Sequence, residues 1–202
     1  AALAGGDFDV PLVGWQGAGG SHKALRASAT PWLLVDRGPP VFSSILGRLQ
    51  RWEYKRAWSL TASSSGCVVK SGALADWARA KTNCPEPMTL MPAGVDLERF
   101  QVGEGSDSST IIYHGRLDSE RNVSLLVDIG DELVARGHEL KMHLIGAGNA
   151  WGSLAKSARD RDWLMLSAAI SPEDIPAVLA VADVGLFPLP DSPQWRVASA
   201  LK

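Results

Sequence analysis

Two arginines carry the most specific chemistry in this sequence. Arg116 and Arg121 stand in IIYHGRLDSERN, residues 111–122, with Gly115 ahead of the first and Asn122 behind the second. The aliphatic run Ile111–His114 reads as a buried strand, so Gly115 and Arg116 fall at its carboxyl end, where open parallel sheets bind ligands. Arg121 and Asn122 fall near the start of the next helix, where free N–H groups and the helix dipole favour an anion. A guanidinium is a planar fork that matches two phosphate oxygens. Two forks flanking a helix start suit a diphosphate better than a single carboxylate. The alternative is a pair of surface arginines bridged to Asp118 and Glu120, worth about 0–1 kcal/mol each.

Such a site needs elements to hold it. Short apolar runs alternate with helical segments along the whole chain, the pattern of an α/β protein with a mainly parallel sheet. Strands are expected at Val10–Gly14, Pro31–Asp36, 67–71 and 88–92, and again at 110–114, 140–146, 164–170 and 184–190. The spacing of Leu125, Leu126, Ile129 and Leu133 predicts a one-faced helix, and 45–58 and 72–80 read as helices as well. Ser171, Pro172, Glu173 and Asp174 read as cap, first position and acidic first turn of another. Gly17–Gly20 reads as a flexible loop with ligand contact as one reading of it. Between Gln101 and Ser109 only Val102 is a large apolar residue. A domain boundary is therefore expected at 103/104, giving domains 1–103 and 104–202.

Composition narrows the class. Of 202 residues, 46% are hydrophobic and 21% charged, ordinary for a core-forming chain. The net charge of −2 argues against a protein that coats nucleic acid. Cys67 and Cys84 have no metal-ligand spacing and read as thiols rather than a disulfide. No apolar run nears the ~20 residues of a membrane-spanning helix, and the start of the chain lacks the pattern of a secretory signal. The chain reads as cytoplasmic. Arg48, Arg51, Lys55 and Arg56 against Glu53 leave +3 on one helix. That helix is either a solvated face or a peripheral membrane contact through 48–56.

MPAGVDLERF, residues 91–100, followed by a linker and GRLDSERN, resembles the family 4 retaining glycosyltransferases. LKMHLIGAG and ISPEDIPAVLAVADVGLFP continue the resemblance in the family's order, over about Pro31 to the last residue. The resemblance implies a GT-B architecture, two Rossmann-like domains facing across a cleft, both incomplete in these 202 residues. It implies that Arg116 and Arg121 grip the diphosphate of a nucleotide sugar and stabilise the leaving group, with Arg121 where the family usually has lysine. Gly115, Gly146 and Gly148 would lie beside the nucleotide, Ile170 would meet the base through its backbone, and Arg37 would replace a histidine facing the transferred sugar. Ala93 stands where the family has asparagine, so that side-chain role is lost.

The implied activity is transfer of a sugar from a nucleotide-diphosphate sugar to an acceptor hydroxyl of a glycan or lipid-linked acceptor, with retention and with no metal or other cofactor. The resemblance also implies that two glutamates completing the donor site lie beyond Lys202, so that this stretch alone is inactive. A non-catalytic nucleotide-binding module of the same fold is the alternative. A dinucleotide-dependent oxidoreductase fits less well, because Trp151 stands where the third glycine of Gly-x-Gly-x-x-Gly belongs.

Overall fold

Parallel strands need long crossovers, usually helical, and the chain supplies a helix after most of its strands. The computed structural model describes residues 9–41, 44–82, 86–103 and 109–198. They form two compact units, residues 9–93 with 191–198, and residues 94–190.

In the first unit, β1 (Leu12–Gly14), β2 (Leu33–Asp36), β3 (Cys67–Val69) and β4 (Met88–Leu90) form a parallel sheet in that order. Around it lie α1 (Trp15–Gly20), α2 (His22–Arg26), α3 (Ile45–Trp58) and α4 (Gly72–Lys81). Ser44 caps α3 by accepting from the Gly47 N–H at 3.1 Å, and Ser71 caps α4 by accepting from Leu74 at 3.1 Å. The buried face of α3 is Gly47, Tyr54, Ala57 and Trp58, packed with Trp32, Leu34 and Leu74 in one core. Cys67 is buried in the core of this unit; Cys84 lies outside the described residues.

The glycine-rich segment after β1 is the helix α1, not a flexible loop. Burial overrides propensity here: Trp15, Ala18 and Gly19 are buried, and α1 packs on α3. A Cβ at Gly19 would stand 1.8 Å from a Glu53 carboxylate oxygen, so Glu53 lies directly over this glycine where the two helices meet.

The second unit contains β5 (Thr110–Arg116), β6 (Lys141–Ala147), β7 (Leu164–Ser167) and β8 (Val184–Gly185), all parallel, in the order β7-β6-β5-β8. Its helices are α5 (Ser124–Ala135), α6 (Trp151–Arg159) and α7 (Ile175–Ala180). Tyr113, Leu117, Val123, Leu126, Leu144 and Leu154 form its core. β8 is only two residues long because Pro188 and Pro190 have no N–H for the ladder. The helix expected from Pro172 begins at Ile175 instead. Pro176 decides this: a helix started at 172 would place it at an interior position, where its ring and missing N–H break the helix. The freed carbonyl of Pro172 accepts from Arg99 Nη2 at 2.8 Å.

The units divide at Ala93/Gly94, ahead of the compositional boundary at 103/104. Residues 94–103 go with the second unit because they pack on α7; a Cβ at Gly103 would stand 1.9 Å from the Ala180 oxygen. At the other end, α8 (Pro193–Arg196) returns to the first unit. Val197 is buried in that core, and its carbonyl accepts from the Ser71 hydroxyl at 2.8 Å. Among the described residues, no helix is long and apolar enough to cross a membrane.

Candidate functional site

The second unit's sheet has a reversal in it. The chain passes from β5 to β6 to β7 in one direction, then returns beyond β5 to lay down β8. Between β5 and β8 the strand order therefore switches, and a crevice at the carboxyl ends of the strands is expected at such a point. Gly115 and Arg116 are the last two residues of β5. They lie in register with Gly146 and Ala147, the last two of β6.

The ends of β5 and β6 are tied by backbone bonds. Leu117 donates to Ala147 at 3.0 Å, and Ala150 donates to Leu117 at 2.9 Å. Only glycines allow this approach. A Cβ at Gly146 would stand 1.7 Å from the Gly115 oxygen, and one at Gly148 would stand 2.2 Å from the Leu117 oxygen. The turn ends in Asn149, whose Oδ1 accepts from the Ser119 N–H at 2.8 Å and whose Nδ2 donates to Glu120 at 3.2 Å. Gly146-Ala147-Gly148-Asn149 thus clamps the loop that follows β5.

Arg116 is aimed by an acid. Its Nε and Nη2 donate to the two oxygens of Asp118 at 2.7 and 3.0 Å. The arginine side chain is 63% exposed, whereas that of Asp118 is 7% exposed. Asp118 also accepts from the Asn149 N–H at 3.2 Å. The guanidinium hydrogen bonds, foremost, hold the Asp118 carboxyl below its ordinary range. One edge of the Arg116 fork is therefore fixed by Asp118, while Glu120 acts on Arg116 through its charge. A guanidinium has five N–H donors, so Nη1 and the second hydrogen of Nη2 face away from Asp118.

Arg121 closes the 3₁₀ turn Ser119–Arg121, ahead of the start of α5 at Ser124. Asn122 makes the bend with φ 57°, a left-handed conformation that asparagine tolerates better than most residues. Tyr113, buried on β5, anchors the strand end: its hydroxyl donates to the Arg116 carbonyl at 2.7 Å. Burial raises the Tyr113 pKa, with Arg121 acting in the opposite sense. The fold thus brings Gly115, Arg116, Arg121, Gly146 and Gly148 around one corner of the sheet. Ile170 stands beyond the end of β7, two strands from β5.

In the first unit Arg37 is exposed just past β2. The register that sets Asp36 opposite Val69 places it beside Lys70. Burial and then the charge of Arg37 lower the Lys70 pKa. The carboxylate of Asp36, next to Arg37 in the chain, is turned into the core. It is fully buried and accepts from Trp58 Nε1 at 2.9 Å, from the Gly38 N–H at 2.7 Å and from the Tyr54 hydroxyl. The bond to Gly38 fixes the loop that carries Arg37. Among the described residues there is no group of three or more histidine, cysteine or acidic side chains suited to a metal ion.

No protein-family model matches the chain, and no curated protein matches it in sequence. Solved structures do match. Sucrose-phosphate synthase from Thermosynechococcus elongatus aligns with a TM-score of 0.75 and 15% identity, over 93% of this chain and 52% of that one. The fold is GT-B. A mutant of S. aureus TarM, solved with fondaparinux, alpha-GlcNAc-glycerol and UDP, gives 0.65 and 13% over 83% and 34%. The pneumococcal O-GlcNAc transferase GtfA, solved with UDP and GlcNAc, gives 0.61 and 13% over 84% and 36%. The chain thus spans between about a third and about a half of these GT-B structures.

Within this GT-B chain, Asp118, Tyr113, Asn149 and Lys70, which hold or neighbour the candidate arginines, do not stand out in the sequence. Asp118 was visible only as one of two acids near Arg116, and its bidentate hold depends on the turn that buries it. Lys70 carries no motif; only the β2–β3 register puts it beside Arg37.

Proposed function

We propose that this chain is part of a retaining glycosyltransferase that binds a nucleotide-diphosphate sugar at the carboxyl edge of the second unit's sheet. The observation that carries the reading is the Arg116–Asp118 fork at the strand-order reversal, with Arg121 on the same turn. Arg116 presents its outer edge, and Arg121 its charge, to the diphosphate. Gly146 and Gly148 keep the edge of the sheet low enough for close backbone approach, and Ile170 offers backbone to the base.

In the reaction the bond from the anomeric carbon to the diphosphate oxygen breaks, and the acceptor oxygen bonds to the same carbon. The acceptor proton leaves with the diphosphate. Negative charge grows on the departing diphosphate, where two guanidiniums held in advance stabilise it without reorganising. They supply the cationic charge themselves, so the proposed reaction uses no metal. Arg37 and Lys70 are the acceptor-side cations in this scheme, for a glycan or lipid-linked acceptor. TarM and GtfA, both solved with UDP, support the choice of donor class.

The test is calorimetric titration with nucleoside diphosphate and monophosphate. Preference for the diphosphate, weakened about tenfold or more in Arg116→Ala, is expected for a charge-assisted fork. Equal affinity for the two nucleotides, or an unaffected variant, would remove the site. Retention is read from the anomeric proton coupling of the product formed by the full-length enzyme. Tight diphosphate binding without sugar transfer by that enzyme would favour the non-catalytic module.

A second reading concerns location, and one observation favours it. On α3, Ile45, Leu46, Leu49 and Trp52 are 78%, 63%, 55% and 54% exposed, alongside Arg48 and Arg56, the latter stacked on Trp52 at 5.2 Å. An apolar row flanked by cations suits the interface of an anionic bilayer. Co-sedimentation with vesicles containing phosphatidylserine, lost in Leu49→Asp, is the expected result; no binding at low salt would exclude it.

A further inference from the structure

The first unit contains a cavity of about 550 Å³ between α3, α4 and α8. Its walls are aromatic: Tyr54, Trp58 and Trp77, with Pro39 and Pro40 from the loop after β2. The Tyr54 and Trp77 rings lie 5.7 Å apart, and Tyr54 and Trp58 are pinned by their hydrogen bonds to buried Asp36. These rings cannot collapse into the space without breaking those bonds. The charged lining residues are Arg51 and Lys55, one helical turn apart on α3, and Lys81 at the end of α4. Among the described residues, no acid lines the cavity. Neither lysine forms an ion pair with a carboxylate among the described residues.

We infer that this cavity is a binding site for an amphiphilic anion, with its apolar body against Tyr54, Trp58 and Trp77 and its phosphate or carboxylate head between Arg51, Lys55 and Lys81. The volume falls inside the range of small-molecule sites, about 300–1,000 Å³. The fixed aromatic walls lower the ordering cost of binding. Lys55 and Lys81, beside the Arg51 guanidinium, are complementary to a single anionic head, and they leave a neutral amphiphile with no counterpart. The site is separate from the donor corner, which lies in the other unit, and it does not depend on the proposed transfer reaction.

The experiment is calorimetric titration of the full chain, below the micelle threshold, with dodecyl phosphate, dodecanoate, dodecyl maltoside and inorganic phosphate. Saturable binding of either amphiphilic anion, with the other two weaker by tenfold or more, is expected, and the tighter of the two anions names the head group. Lys55 and Lys81 are exposed, so the double variant Lys55→Ala/Lys81→Ala should keep its fold. It should bind at least about tenfold more weakly, because hydrogen bonds to charged groups contribute on the order of 1.5–3 kcal/mol. Equal binding of the maltoside, equal binding by the double variant, or no saturable binding of either anion would each overturn the assignment. Circular dichroism confirms that the variant is folded.

Discussion

Replacing Gly146 by alanine puts the clamp between β5 and β6 under direct strain. The added Cβ would stand 1.7 Å from the Gly115 oxygen and 2.8 Å from the Gly115 carbonyl carbon, at a φ of +156°. Both obstacles are backbone, so no side chain can swing aside. The dihedral alone costs on the order of 1–3 kcal/mol for a residue with a Cβ. Forcing the two strand ends apart adds about 1–3 kcal/mol, by analogy with overpacked cores. Together they amount to about 2–6 kcal/mol, which lowers the melting temperature of a domain of this size by roughly 8 °C or more. Thermal unfolding followed by circular dichroism measures this, with Gly152→Ala as control. That glycine is on α6 with nothing within 4 Å of its added Cβ, and the change there should stabilise by up to about 1 kcal/mol. Because the strand ends carry Arg116, nucleoside diphosphate binding should fall with the stability. A Gly146→Ala protein that melts within about 2 °C of the parent and binds as the parent does would refute the packing argument.

Other perturbations bear on the acids that organise each unit. Asp118 is held below its ordinary pKa by Arg116, so its contribution is present above the ordinary carboxylate pKa of about 4 and is lost as pH falls through the depressed value. Asp118→Asn should flatten the acid limb of a urea stability profile and weaken diphosphate binding by releasing Arg116; an unchanged limb would dissociate the pair from stability. Asp36 is shifted upward, burial outweighing its three donors, so stability falls as pH rises from the ordinary carboxylate range through the raised pKa. Tyr54→Phe removes one donor to the ionised form and should cost about 1–3 kcal/mol near neutral pH, less in acid, as read from urea midpoints at two pH values. A loss independent of pH would mean that packing, not the hydrogen bond to Asp36, sets the role of Tyr54.

Much of the architecture is legible from pattern alone. The alternation of apolar runs with one-faced helices gives two parallel sheets, since side-chain periodicity is a local property of the chain. α3 spans the residues the sequence indicates because nothing inside it interrupts a helix. The ends of elements depend on less local facts: α7 waits for Pro176, and β8 stops before its prolines. Gly17–Gly20 defeats a propensity reading altogether, because its helix exists only against α3. The paired arginines are likewise readable as a candidate anion site from type and spacing. Their orientation is not. The bidentate hold of Asp118 arises because parallel pairing brings the ends of β5 and β6 together and buries one acid between them. Lys70 beside Arg37, and the aromatic cavity walled from residues 39 to 194, likewise follow from register and helix packing. Those relations join residues far apart in the chain, and no local pattern encodes them.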